Sequence, residues 1–246
     1  MTELKISAGS YDLNKWLFGG YEKDIITTIY GPAGSGKTNL CILAAVSQAK
    51  KSNKVIFMDT EGGFSIDRFK QVAGEDHENA LKNILLMKPT NFQEQKRDFN
   101  SLLKEINKDS NSSNIGLIIV DGMTMLYRLE LGDACKERDD LQIKVINKEL
   151  ANQLRTLAEI SRKKNIPVII TNQVYYNFIP DENYNKNEKT ANMVGGDLLK
   201  YWSKCLIELQ NKDGKRTAIL RKHRSLPEKE LTFVITNPGI KKRGLF

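Results

Sequence analysis

The residues best placed to do chemistry are Gly31-Pro32-Ala33-Gly34-Ser35-Gly36-Lys37-Thr38, which fit G-x-x-x-x-G-K-[ST] at every position. Gly31, Gly34 and Gly36 let the backbone turn tightly with its N–H groups facing inward, where they bind anionic oxygen. Lys37 brings a mobile cation for β- and γ-phosphates. The Thr38 hydroxyl is a ligand for the Mg²⁺ that accompanies them. Pro32, Ala33 and Ser35 complete the loop, and Asn39 follows it at the start of an apolar segment.

Three more residues stand where strands are expected to end. Lys54-Val55-Ile56-Phe57-Met58-Asp59 runs into Asp59-Thr60-Glu61-Gly62-Gly63-Phe64. Open parallel sheets bind ligands at the carboxyl ends of their strands, so Glu61 is delivered to the same edge as Lys37. A carboxylate there can orient or deprotonate a water attacking a γ-phosphate, unless it is only a surface turn residue. Ile115-Gly116-Leu117-Ile118-Ile119-Val120-Asp121 is a continuous apolar run ending in a carboxylate suited to the Mg²⁺ shell. Pro167 to Gln173 ends in a neutral amide that can bond a phosphate or water without competing for its proton.

The elements that must position these residues are legible around them. Asp24 to Tyr30 is β-branched and apolar, a strand entering the loop, and Asn39 to Val46 is a helix leaving it. The loop's strand and the strand at Lys54–Asp59 then form a right-handed parallel βαβ unit. Helices are expected over 65–73, 91–108 and 139–164, the last with Ile143, Ile146, Leu150, Leu154 and Leu157 at helical spacing. Asn83 to Lys88 reads as a further strand. Tyr127–Arg138 reads as a loop of mixed charge, and Val174–Met193 as a long polar loop closed by a Gly195-Gly196 return turn. Tyr175 and Tyr176, with Lys186 and Lys189, suit stacking on single-stranded bases, although Asp181 and Glu182 weaken that reading. The C-terminal part alternates as a hairpin about Asp213-Gly214 with a last strand at 231–235, then a basic tail, Lys241-Lys242-Arg243. The expected fold class is α/β, a mostly parallel twisted sheet flanked by helices with an antiparallel C-terminal hairpin, forming a single domain over 1–246.

Composition sets bounds. The chain has 246 residues, net charge +8 and pI about 9.2, which permits a polyanionic partner but equally fits a lysine-rich solvated surface. Three scattered Cys and two isolated His offer neither a disulfide framework nor a zinc ligand set. No apolar run approaches the ~20 residues of a membrane span. The N-terminus lacks a signal pattern, so a cytoplasmic location is expected. With so few residues before the first core strand, no upstream domain is expected.

The order of motifs resembles the RecA/RadA recombinase family over nearly the whole chain. The resemblance is carried by Gly31 to Cys41, Met58 to Phe64, Leu117 to Asp121, Ile170 to Val174 and Ser225-Leu226-Pro227-Glu228. It implies a RecA-like P-loop NTPase core using ATP and Mg²⁺, with Glu61 as catalytic glutamate and Gln173 as the amide that senses the γ-phosphate. It implies an adenine contact for Arg68. It implies DNA-facing roles for the stretches Tyr127–Arg138 and Val174–Met193, hence Arg128, Lys136 and Arg138 as DNA contacts. In Lys222-His223-Arg224, Lys222 and Arg224 resemble fingers that reach a neighbouring subunit's γ-phosphate. The family's helical DNA-binding domain and Phe-based polymerisation motif have no counterpart before Phe18, and Gly122 replaces the usual Ser after the metal aspartate. The implied function is an ATP- and DNA-binding accessory protein with weak ATPase activity. Its implied partners are single-stranded or branched DNA and a RadA-type recombinase or other recombination proteins, with a homodimer or small oligomer as its own assembly. A KaiC-like signalling ATPase, a self-sufficient strand-exchange recombinase, and a binding module with a purely structural ATP site stay open as alternatives.

Overall fold

The alternating and continuous apolar runs become strands of one large sheet, and the helical runs cover its faces. The computed structural model describes residues 4–108, 114–176 and 191–244. In chain order the elements are β1 (Lys5–Ile6), α1 (Tyr11–Trp16), β2 (Tyr21–Glu22), β3 (Ile26–Gly31), α2 (Lys37–Ala49), β4 (Lys54–Asp59), α3 (Ile66–Ala73), α4 (His77–Leu81), β5 (Ile84–Met87) and α5 (Phe92–Lys108). There follow β6 (Ile115–Asp121), α6 (Met125–Glu137), α7 (Asp140–Lys164), β7 (Val168–Tyr176), β8 (Ala191–Met193), α8 (Gly196–Trp202), β9 (Cys205–Lys212), β10 (Lys215–Lys222), β11 (Lys229–Thr236) and β12 (Gly239–Lys242).

The large sheet runs β12-β11-β10-β9-β3-β7-β6-β4-β5, with β8 attached to β7. From β9 to β5 the neighbours are parallel. From β9 outward to β12 they are antiparallel. The expected α/β class, parallel with an antiparallel C-terminal part, is thus the observed one. The strands of the βαβ unit, β3 and β4, are parallel but not neighbours, because β7 and β6 lie between them. Strands that are apolar on both faces gain most at the centre, where helices cover both sides.

Side-chain parity separates two cores. Leu117, Ile119, Val55, Phe57 and Ile169 face α2 and α3 with Leu40, Leu43 and Phe69. Ile118, Val120, Ile56, Met58 and Ile170 face α5 and α7 with Phe99, Leu102, Leu150 and Leu154. Successive strand residues point to opposite faces, so odd-numbered positions of β4, β6 and β7 turn toward α2.

Several local expectations need correction. The stretch Tyr127–Arg138 is not a loop: Met125–Glu137 is helical, ending at Arg138 in the left-handed region, φ +57°. Its charges hid good helix formers, and its apolar residues spread around the helix without one clean face, so the 3.6 period was weak. The expected loop Val174–Met193 is strand at both ends, Val174, Tyr175 and Tyr176 pairing with Met193, Asn192 and Ala191. Lys186 and Lys189 lie outside the described residues. Gly195-Gly196 does turn the chain, but into α8. Lys241 and Lys242 belong to β12 rather than to a tail, with the Lys242 N–H donating to Asp12 at 2.7 Å.

Candidate nucleotide site

Register brings the candidate residues to one level of the sheet. Gly31 pairs with Gln173, and Asp59 pairs with Asp121. Val120 pairs with Ile170, which sets Asp121 beside Thr171. By parity Asp59, Asp121, Thr171 and Gln173 all turn toward α2, whose first residues are Lys37 and Thr38. Gly36 starts that helix at φ +106°, a conformation open to glycine and strained for other residues.

Two bonded groups result. In the first, the Asp121 carboxylate is fully buried and accepts from Thr38 Oγ1 at 2.7 Å and from Thr171 Oγ1 at 2.6 Å. Burial pushes its pKa up to about 6, against the lowering effect of those two hydrogen bonds. In the second, the Lys37 ammonium donates to the Gly31 carbonyl at 2.9 Å, the Pro32 carbonyl at 3.0 Å and Gln173 Oε1 at 3.2 Å. Gln173 Nε2 donates to Glu61 Oε2 at 2.9 Å. Burial lowers the Lys37 pKa, opposed by the nearby charges of Glu61 and Asp121. Glu61, Gln173 and Lys37 therefore form one chain of contacts, and Asp121 and Thr38 a second beside it.

The residues fit a magnesium–triphosphate. Among the described residues no cluster of three His, Cys, Asp or Glu could cage a metal by itself. One hydroxyl and one carboxylate 2.7 Å apart suit Mg²⁺, which keeps several waters and takes phosphate oxygens. Glu61 Oε1 and Ser35 Oγ are buried with no partner among the described residues. The start of α2 adds free N–H groups and the positive end of a helix dipole.

Residues that sequence reasoning left unassigned hold this rim in place. Thr171 joins Asp121 to the next loop, its hydroxyl also accepting from the Gly122 N–H at 2.8 Å. Asp59 accepts from the N–H groups of Gly63 and Phe64, fixing the turn that carries Glu61. Thr60 donates to the carbonyls of Asp121 and Gly122. Strand alternation was the available signal for Thr171. Gly122 also has a physical reason to be glycine. Its φ is +91°, and a Cβ would stand 2.4 Å from Thr60 Oγ1 and 2.6 Å from Glu61 Cγ.

Other candidates lie away from this rim or at its border. Arg68 donates to Asn39 Oδ1 at 2.7 Å and to the Asn237 carbonyl at 3.0 Å, joining α2 to the turn between β11 and β12. Lys222 donates to the carbonyls of Lys200 and Ser203, both at 2.8 Å. Arg224 is paired with Glu22 at 2.7 Å and Asp24 at 2.6 Å. Arg128, Lys136 and Arg138 are exposed on or just after α6, where Lys136 meets Asp133 at 2.9 Å.

A mostly parallel sheet with this glycine-loop rim and an antiparallel C-terminal extension defines the RecA-like class. The family model described as Rad51 matches residues 1–243, and the chain belongs to the Rad51 family. It is 42% identical over 228 residues to the DNA repair and recombination protein RadB of Methanocaldococcus jannaschii, covering 93% of this chain and 98% of that protein. It is 40% identical over 231 residues to RadB of Methanobrevibacter smithii, covering 93% and 92%. It is also 40% identical over 231 residues to RadB of Methanococcoides burtonii, covering 93% and 94%.

Proposed function

We propose that this chain binds Mg²⁺-ATP at the rim, hydrolyses it slowly, binds DNA, and assists or regulates a RadA-type recombinase in recombination and repair. The observation that carries the reading is the pair of contact chains, Thr38–Asp121–Thr171 and Lys37–Gln173–Glu61, converging beside the phosphate-loop pattern. Mg²⁺, when bound, neutralises charge between the phosphates. Thr38 and Asp121 would hold it. Gly31 to Thr38 would bind the phosphates, and Asn39 with Arg68 would border the base. Lys37 would orient the γ-phosphate. Glu61, with one oxygen held by Gln173 and the other unpartnered, would accept a proton from water.

The net charge of +8 supports a polyanionic partner, which Arg128, Lys136 and Arg138 would contact from among the acids Glu130, Asp133 and Glu137. The names of the RadB relatives support a role in recombination and repair. A cytoplasmic location is part of this reading; no described helix is long and apolar enough to cross a membrane. A small homo-oligomer in which Lys222 and Arg224 reach a neighbour requires them to leave their present partners.

Calorimetry and turnover assays test the rim. Lys37→Ala is expected to lose Mg²⁺-ATP binding, and Glu61→Gln to keep binding while turnover falls by about 10²- to 10⁴-fold. Equal nucleotide affinity in wild type and Lys37→Ala overturns the assignment. Single-stranded DNA titrations with and without ATP test the rest. An interaction that is absent or insensitive to salt moves the reading to a signalling ATPase.

A further inference from the structure

Strand β7 carries Thr171, Asn172 and Gln173 in its middle, and the central one of the three points away from the rim. Asn172 is 1% exposed. Its Oδ1 accepts from Thr124 Oγ1, and its Nδ2 donates to the Val194 carbonyl at 2.8 Å. Thr124 stands directly before α6, yet its hydroxyl makes no capping bond to that helix. Val194 follows β8, and its N–H faces the Gln173 carbonyl at 3.5 Å. The Met123 N–H donates to the Thr171 carbonyl at 3.0 Å, so backbone and side chain both join the start of α6 to β7.

This arrangement is demanding. A buried amide is satisfied only while both partners stay in place, and leaving either end unpaired costs about 1–3 kcal/mol. Packing alone would be met by an apolar side chain. One residue further along, Gln173 is held by Lys37 and Glu61. The peptide between the two residues is planar, so an exchange of Gln173's partners that displaces the strand there also displaces Asn172.

We infer that Asn172 is a positioning residue that transmits the state of the phosphate rim to both the start of α6 and the end of β8. The inference rests on the proposed nucleotide binding. It gives that binding a route to the helix that carries Arg128 and Lys136 and to the antiparallel pair β7–β8. It differs from a contact of Gln173 alone, because it requires the hydroxyl of Thr124 and the opposite face of the strand.

The test is hydrogen exchange of the backbone amides at 125–131 and 193–195, with and without Mg²⁺ and a non-hydrolysable ATP analogue. Calorimetry on the same samples reads nucleotide affinity. In wild type the analogue is expected to slow exchange in both stretches by about tenfold, within the usual range of coupling between sites. Thr124→Val and Asn172→Leu are expected to bring that ratio near one with nucleotide affinity within about twofold of wild type. Thr124→Ser, which keeps the hydroxyl, is expected to retain the wild-type ratio. If Asn172→Leu does not fold, the Val and Ser substitutions at Thr124 carry the comparison. A wild type that binds the analogue without slowed exchange overturns the inference, as does an unchanged ratio in Thr124→Val. A wild type that binds no analogue in the calorimeter removes the nucleotide reading itself and the inference with it.

Discussion

The rim at the carboxyl ends of β3, β4 and β6, beside the middle of β7, and the outer surface of α6 both gather charge, but in opposite ways. At the rim Lys37 and Asp121 are buried, and Asp121, Thr38, Thr171, Lys37, Gln173 and Glu61 are joined by hydrogen bonds that leave Glu61 Oε1 unpartnered among the described residues. On α6 and at its end Arg128, Lys136 and Arg138 are exposed, and the Lys136–Asp133 pair is fully solvated. Buried ionisable groups are expensive to leave unpaired, so each rim residue depends on its partners. Solvated cations act nearly independently, through the field they share. The rim is therefore suited to one ligand geometry, whereas the α6 cations, interspersed with Glu130, Asp133 and Glu137, impose no fixed geometry.

Substitutions should separate the two regions. Asp121→Ala removes the acceptor of both Thr38 and Thr171, and Mg²⁺-ATP affinity is expected to fall by about a hundredfold or more, as for a lost charge-assisted partner. Calorimetry in which Asp121→Ala binds like wild type would break the contrast at its strongest point. Gly122→Ala forces a Cβ into Thr60 and Glu61 at φ +91°, and is expected to cost about 1–3 kcal/mol by urea unfolding while displacing the Glu61 carboxylate. On the α6 side, Arg128→Gln and Lys136→Gln should each weaken single-stranded DNA binding modestly and additively, lowering the slope of log affinity against log salt by about one. Non-additive losses there would make α6 a structured site like the rim.

The smallest effect is expected at Arg224, whose pair with Asp24 lies partly in solvent and whose other partner, the buried Glu22, also faces His223. Arg224→Gln should cost about 0.5–1 kcal/mol at neutral pH, discounted for screening. The Arg224 hydrogen bond holds the Asp24 carboxyl below its ordinary range, against a smaller opposing effect of burial. A depressed carboxylate stabilises the fold above its unfolded value and loses that contribution as pH falls through the folded one. The difference between wild type and Arg224→Gln in urea midpoint should thus shrink below about pH 4.

The glycine loop, the apolar strands carrying Asp59, Asp121 and Gln173, and the C-terminal hairpin were legible in the sequence, but the third of those strands runs on to Tyr176. Local spacing carries those signals: a phosphate loop needs contiguous residues, and a central strand needs an unbroken apolar run. The helix at Met125–Glu137 and the pairing of β8 with β7 were not legible. Both are stabilised by packing and by partners distant in sequence, such as Tyr127 donating to Asn147 at 2.7 Å. Residue types alone determined that a glycine turn of the phosphate-loop pattern and carboxylates and an amide on apolar strands exist in this chain. Only the tertiary structure decided that β7 and β6 lie between β3 and β4, that Thr171 holds the Asp121 carboxylate, and that Asn172 faces the other way. Strand order and side-chain face come from burying both sides of the sheet at once, and no single segment contains that information.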